Sequence, residues 1–227
     1  MLKRLLDVSA ALGGLIVLAP VLAAIAAWIK LGSSGPIFYR GQRAGLRGRP
    51  FQIFKFRTMV LNADKIGGAS TSDRDPRITT CGHFLRRFKL DELPQLINVV
   101  LGDMSLVGPR PQVLSYVEQR FTAEERKILD VRPGITDWAS IWNADEGAIL
   151  ARFPDPDRAY DELIHPTKSQ LQLRYVREHT VLTDVKIIFY TLLRVVRKNW
   201  VPVELREVPL PGTELASTPS ESTSIAA

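Results

Sequence analysis

The sequence predicts an α+β fold: a mainly helical compact domain with short strands, an N-terminal re-entrant membrane helix and amphipathic interfacial helices. Three observations carry this prediction. Residues 8–29 hold no charge, residues 51–59 alternate apolar and polar side chains, and the remaining helix-like stretches are separated by Gly- and Pro-rich loops.

The uncharged run between Asp7 and Lys30 is long enough to cross a bilayer as a helix. A cleaved signal peptide fits poorly, because the run exceeds a signal's apolar region and an acid, Asp7, stands in its first turns. A fully buried soluble helix is the other alternative. Pro20 removes one backbone hydrogen bond and presses its ring against the carbonyl of Ile16, so the helix is expected to break there. Both flanks are basic, with Lys3 and Arg4 before the run and Lys30, Arg40, Arg43, Arg47 and Arg49 after it. The positive-inside bias therefore puts both ends in the cytoplasm. A helix broken at Pro20 that enters and leaves by one face satisfies this, and a straight span does not.

Residues 32–36 read as a turn, 37–39 as a short extended piece and 41–50 as a basic, glycine-punctuated loop. The alternation over 51–59 favours a strand with Lys55 and Arg57 on one face. Residues 62–80 are polar and loop-like. Residues 90–101 read as a short helix beginning near Asp91, with Pro94 in the first turn, where proline is tolerated. Residues 102–111 form a stiff Gly/Pro-rich loop, and 115–131 and 157–180 look helical. In 184–200, Val185, Ile188, Phe189, Leu192, Val195 and Val196 form one stripe, with Lys186, Arg194, Arg197 and Lys198 around it. That helix either lies in the membrane interface or packs on the domain. After Pro202 the chain turns rich in Pro, Ser, Thr and Glu and lacks the apolar residues that would offset ordering entropy. The expected organisation is a membrane helix at 1–31, a compact domain at 32–200 and a disordered tail at 201–227.

With hydrophobic residues at 45% and a length of 227, most of the chain belongs to one packed domain plus appendages. The net charge of +6 suits nucleic acid, an anionic membrane surface or phosphate-bearing small molecules. Helix–turn–helix and RNA-binding signatures are absent from the sequence, so no nucleic acid partner is expected. The single cysteine, Cys81, cannot pair within the chain, which favours a reducing compartment. His83, His165 and His179 are scattered and receive no role.

The chemistry concentrates in residues 86–96, Arg-Arg-Phe-Lys-Leu-Asp-Glu-Leu-Pro-Gln-Leu, followed by Gly102-Asp-Met-Ser-Leu-Val-Gly-Pro-Arg-Pro111. Asp91 and Glu92 stand at a helix start just after Arg86, Arg87 and Lys89. One reading is an acidic N-cap with a charged approach. The other is a carboxylate that attacks phosphorus, kept ionised by helix-terminal N–H groups and cations, beside a neighbour able to hold Mg²⁺. Arg110, between Pro109 and Pro111, is presented from a stiff loop with a fork of donors matched to phosphate. A structural Arg110 that caps a carbonyl is the alternative. Arg77, in Asp75-Pro-Arg-Ile-Thr79, either organises its loop or touches substrate.

The ordered set Lys3-Arg-Leu-Leu-Asp7, the proline-interrupted apolar run, Phe54-Lys-Phe-Arg-Thr-Met59, Asp75-Pro-Arg-Ile-Thr79, Leu90-Asp-Glu-Leu-Pro-Gln95, Gly102-Asp-Met-Ser105, Gly108-Pro-Arg-Pro111 and Val131-Arg-Pro-Gly-Ile-Thr136 resembles the bacterial sugar transferases, the monotopic phosphoglycosyl transferases. The resemblance implies a helix re-entering at Pro20, an aspartate nucleophile at Asp91, a magnesium-binding glutamate at Glu92 and a phosphate contact at Arg110. It further implies a UDP-sugar:undecaprenyl-phosphate sugar-1-phosphate transferase. The aspartate attacks the β-phosphate, UMP leaves, and the phosphosugar passes to undecaprenyl phosphate at the cytoplasmic face of the inner membrane. This would be the first membrane step of polysaccharide or glycoconjugate synthesis. Expected partners are the UDP-sugar, undecaprenyl phosphate and membrane lipids, with a homodimer as the protein partner considered. The sequence departs from the family pattern in three places. Asp137 stands where glycine is frequent, Gln172 where many relatives carry aspartate, and Ala19 where serine commonly precedes the proline.

Overall fold

The computed structural model describes residues 1–66, 70–197 and 200–209. Helix α1 (Leu2–Gly32) leads into an antiparallel hairpin, β1 (Phe38–Ala44) and β2 (Pro50–Phe56), whose register pairs Phe38 with Phe56 and Ala44 with Pro50. Two short helices follow, α2 (Ala63–Ile66) and α3 (Thr80–Arg87), then a 3-10 turn (Leu90–Glu92) that runs on into α4 (Gln95–Leu101). Strands β3 (Ser105–Val107) and β4 (Gly134–Thr136) pair in parallel and are separated by α5 (Leu114–Arg120) and a 3-10 stretch (Glu125–Asp130). The second half is helical: α6 (Trp138–Trp142), α7 (Glu146–Leu150), α8 (Pro156–Ala159), a π turn (Tyr160–Ile164), α9 (His165–Glu178) and α10 (Val181–Val196). The mixed, mainly helical class is as the sequence predicts.

Several local expectations are revised. Residues 41–44, which read as loop, continue β1, because β2 supplies both the backbone partners and most of the apolar surface that this glycine- and arginine-bearing strand lacks. The helix expected over 115–131 stops at Phe121, where the backbone turns extended, and resumes as a 3-10 stretch. The segment from 201 is expected to be disordered, yet Val203–Leu205 forms a turn and Leu205 is 1% exposed within the main core. The rest of that tail, residues 210–227, lies outside the described residues. Finally, Pro20 does not end α1, whose helical hydrogen bonding continues on both sides of it.

The main core gathers Trp138, Ile141, Trp142, Ile164, Tyr175 and Ile187 from α6, the π turn, α9 and α10. Both ends of α1 dock on this same domain. At the N-terminal end, Lys3 donates to the Val107 carbonyl (3.1 Å) and to Asp184 (2.5 Å), and Arg4 donates to the carbonyls of Val99 (2.6 Å) and Met104 (3.1 Å). Buried Asp7 accepts from the Ser105 hydroxyl (2.7 Å) and the Leu106 N–H (3.2 Å). At the C-terminal end Ile25 and Ile29 pack on Phe56, Cys81 and Leu85, while Arg57 donates to the Ser33 and Ser34 carbonyls. Between these docks Ala11 is buried against Val99 and Met104, while the opposite face is apolar and outward-facing, with Ile16 75% and Val17 76% exposed. On α10 the stripe Val185, Phe189, Leu192, Val195 and Val196 also faces out, and Ile187 faces the core.

Candidate active site

The site forms where β2, the 3-10 turn before α4 and the loop after β3 converge. Lys89 adopts a left-handed conformation (φ 57°), which turns the chain out of α3 and starts the 3-10 turn carrying Asp91 and Glu92. A non-glycine residue there stores strain of about 1–2 kcal/mol. Asn98, fully buried on α4, accepts from the Phe54 N–H (2.8 Å) and donates to the Gln52 carbonyl (2.8 Å), fixing α4 to the β2 edge that carries Lys55. The third wall depends on two glycines. A Cβ on Gly108 would overlap the Arg132 carbonyl, and one on Gly134 would overlap the Gly108 nitrogen. Only side-chain-free backbones close to this distance, and the Gly134 N–H then donates to the Pro109 carbonyl at 3.0 Å. The Gly-Pro-Arg-Pro and Arg-Pro-Gly-Ile-Thr motifs are thus two sides of one joint that aims Arg110.

Glu92 is the hub. Arg110 forks onto both its oxygens, with Nη1 2.9 Å from Oε2 and Nη2 bonded to Oε1, while Lys55 Nζ lies 2.8 Å from Oε1. Burial alone would raise the Glu92 carboxyl, but the Arg110 and Lys55 charges outweigh it and hold the group well below the usual carboxylate range. Asp91 differs. Burial pushes its carboxyl up, Lys55 opposes the rise and the Glu92 charge adds to it. Its Oδ1 is buried and accepts no hydrogen bond among the described residues. Lys55 is pulled down by burial, with Glu92 acting against that. Farther along, Lys168 holds Glu146 (3.3 Å) and the Tyr160 hydroxyl (3.0 Å), and that hydroxyl also accepts from Gln112 (2.9 Å), two residues past Arg110.

The structure therefore brings Asp91, Glu92 and Arg110 together, while Pro20 lies inside α1 apart from this constellation. Arg77 grips Asp75 and the Ala63 carbonyl, which organises its loop. Sequence reasoning places Lys55 on a strand face and gives it no role; its position between the apolar Phe54 and Phe56 is the available signal. Asp137 and Gln172, which the sequence marks only as departures, stand directly behind Arg110.

The sequence model of the bacterial sugar transferase family matches residues 1–198. The chain belongs to this family. It is 39% identical to the UDP-glucose:undecaprenyl-phosphate glucose-1-phosphate transferase of Escherichia coli over 86% of its length, covering 40% of that protein. It is 40% identical to the undecaprenyl-phosphate glucose phosphotransferase of Komagataeibacter xylinus over 85% of its length, covering 35% of that protein. The chain thus spans well under half of these relatives. It is also 36% identical to the exopolysaccharide production protein PSS of Rhizobium leguminosarum, where the match covers 85% of the chain and 94% of the relative. The match to the family runs through both docks of α1, the Asp91-Glu92 turn and the Arg110 joint.

Proposed function

We propose that this bacterial sugar transferase moves a sugar 1-phosphate from a UDP-sugar to undecaprenyl phosphate at the cytoplasmic face of the inner membrane. The observation that carries the reading is the pair of adjacent carboxylates in opposite electrostatic states. Glu92 is gripped by two cations, and among the described residues Asp91 keeps a buried oxygen free of donors. In the first step an Asp91 oxygen bonds to the β-phosphorus, the bond from that phosphorus to the bridging oxygen breaks, and UMP leaves. In the second a phosphate oxygen of the lipid bonds to the same phosphorus and Asp91 departs, giving a lipid diphosphosugar. Arg110 and Lys55 supply the positive field for the transferring phosphate, exchanging their grip on Glu92 for it.

Mg²⁺ takes one or two carboxylates plus substrate phosphates and water, and adjacent Asp91 and Glu92 are donors of that chemistry. Glu92 would hold the ion, which when bound neutralises charge on the phosphates.

Two features support the membrane side of the reading. Residues 3–7 and 25–29 of α1 dock on one domain. They are separated by about 27 Å along a helix axis, close to the ~30 Å of a bilayer core, so a perpendicular span would pull the domain across the membrane with it. A re-entrant or in-plane α1, with the outward face of α10 in the same interface, avoids this. Beside Pro94, Leu22, Ala26, Phe38 and Phe56 line an apolar cavity of about 240 Å³ suited to isoprenyl units. The test is UMP release by the full chain in nanodiscs across a panel of UDP-sugars, with and without undecaprenyl phosphate. Failure of every sugar to yield UMP and lipid-linked product would refute the assignment.

A further inference from the structure

Arg110 is held from behind as well as in front. Its backbone N–H donates to Oδ2 of Asp137 at 3.3 Å. The same oxygen accepts from Gln172 Nε2 at 3.2 Å, and that nitrogen stands 3.5 Å from the Arg110 carbonyl. The other carboxylate oxygen of Asp137 accepts from the Ser140 N–H at 2.6 Å, capping α6. Asp137 is 0% and Gln172 1% exposed. A carboxylate so placed persists because N–H donors fill its lone pairs. The prolines on either side of Arg110 have no N–H. The Arg110 amide is therefore the one backbone donor in that tripeptide, and Asp137 takes it.

Asp137 and Gln172 lie 35 residues apart in sequence, and each departs from the family pattern by itself. In space they touch. This chain carries a carboxylate at the start of α6 and an amide on α9. Both face the Arg110 backbone.

We infer that Asp137 and Gln172 are coupled positioning residues for the transfer step, fixing through the Arg110 backbone the direction in which its guanidinium points. They do not touch substrate. The inference rests on Arg110 being the phosphate contact proposed above. Misplacement of a phosphate-binding group by about 1 Å costs on the order of a hundredfold in rate, so the effect belongs in kcat rather than in donor binding.

The test uses the full chain in nanodiscs with Asp137→Asn, which keeps the helix cap but loses the charge, and Gln172→Leu, which keeps the volume but loses the donor. Each is expected to lower kcat for UMP release about ten- to a hundredfold with KM for the UDP-sugar changed less than about threefold. Each should also speed amide hydrogen exchange in residues 108–112. The double variant Asp137→Asn/Gln172→Glu returns a carboxylate to the same cavity and should recover most of the loss. In an Arg110→Lys background, where a flexible stem no longer needs aiming, either change should cost less than about threefold. Equal fold losses in the wild-type and Arg110→Lys backgrounds would overturn the inference, as would unchanged kcat and unchanged exchange. If the wild-type chain releases no UMP from any UDP-sugar, the donor reading fails separately. The exchange measurement then decides on the tether alone: acceleration upholds it, and unaltered protection removes it.

Discussion

At the residue scale, Asp91 and Glu92 are chemical neighbours kept in different states by what surrounds them. Because burial raises the Asp91 carboxyl, folding disfavours its ionised form, so at neutral pH the charged group weakens the fold. Asp91→Asn is therefore expected to abolish turnover while leaving the thermal midpoint equal or higher. Activity above a few per cent in purified protein would remove Asp91 as nucleophile, and a lowered midpoint would contradict the electrostatic account. The same shift predicts an acid limb in the pH–rate profile, since attack requires the ionised carboxylate. Lys55 opposes the rise, so Lys55→Met should move that limb to higher pH as well as depress kcat. A limb that stays in place would show that Lys55 does not act on Asp91. Glu92, held low by Arg110 and Lys55, stays ionised throughout this window and contributes no limb of its own.

At the scale of elements, the docking of α1 depends on a few buried polar contacts. Asp184 accepts from Lys3 at 2.5 Å and lies 2.7 Å from the Tyr175 hydroxyl, tying α1, α9 and α10 together. Lys3→Met keeps the aliphatic stem and leaves Asp184 with one donor fewer. Because Lys3 remains partly exposed, the cost should be about 1–2 kcal/mol, or several degrees in thermal midpoint. Adding Asp184→Asn should restore part of it, because the uncompensated charge is then gone; additive losses would argue against the pair. Lys3, Arg4 and Asp7 were legible in the sequence as a basic flank, an acid and a family motif, but not as docking contacts, since nothing local announces carbonyl partners about a hundred residues away. The strand read at 51–59 and the helix read at 90–101 were legible in part: β2 runs Pro50–Phe56, and α4 begins at Gln95 with Pro94 as its N-cap, after a 3-10 turn that holds Asp91. The hairpin's first strand was not. Its Gly41 and its arginines read as loop, and pairing with β2 overrode them. The Asp137–Gln172 contact could not be read because it joins two elements that periodicity treats independently.

At the scale of the whole molecule, one compact domain holds both ends of an apolar helix, and the proposed reaction requires the same domain to reach a lipid. The docks at residues 3–7 and 25–29 are polar at one end and apolar at the other. Between them Ile16, Val17 and Val21 face outward, as does the stripe on α10. Leu22 and Ala26 of α1 line the apolar cavity beside Pro94, itself two residues from Glu92, so in the proposed reaction the lipid phosphate would reach the carboxylates along α1. In a Cys81→Ala background, single cysteines at Leu2 and at Arg49, both exposed, report on the two sides of the helix. In intact cells both should be protected from a membrane-impermeant thiol reagent and both should react once the membrane is permeabilised. Labelling of one position alone in intact cells would mean that α1 crosses the bilayer. The docking of both ends on one domain would then have to be broken in the membrane, and the proposed route of the lipid to Asp91 would fail with it.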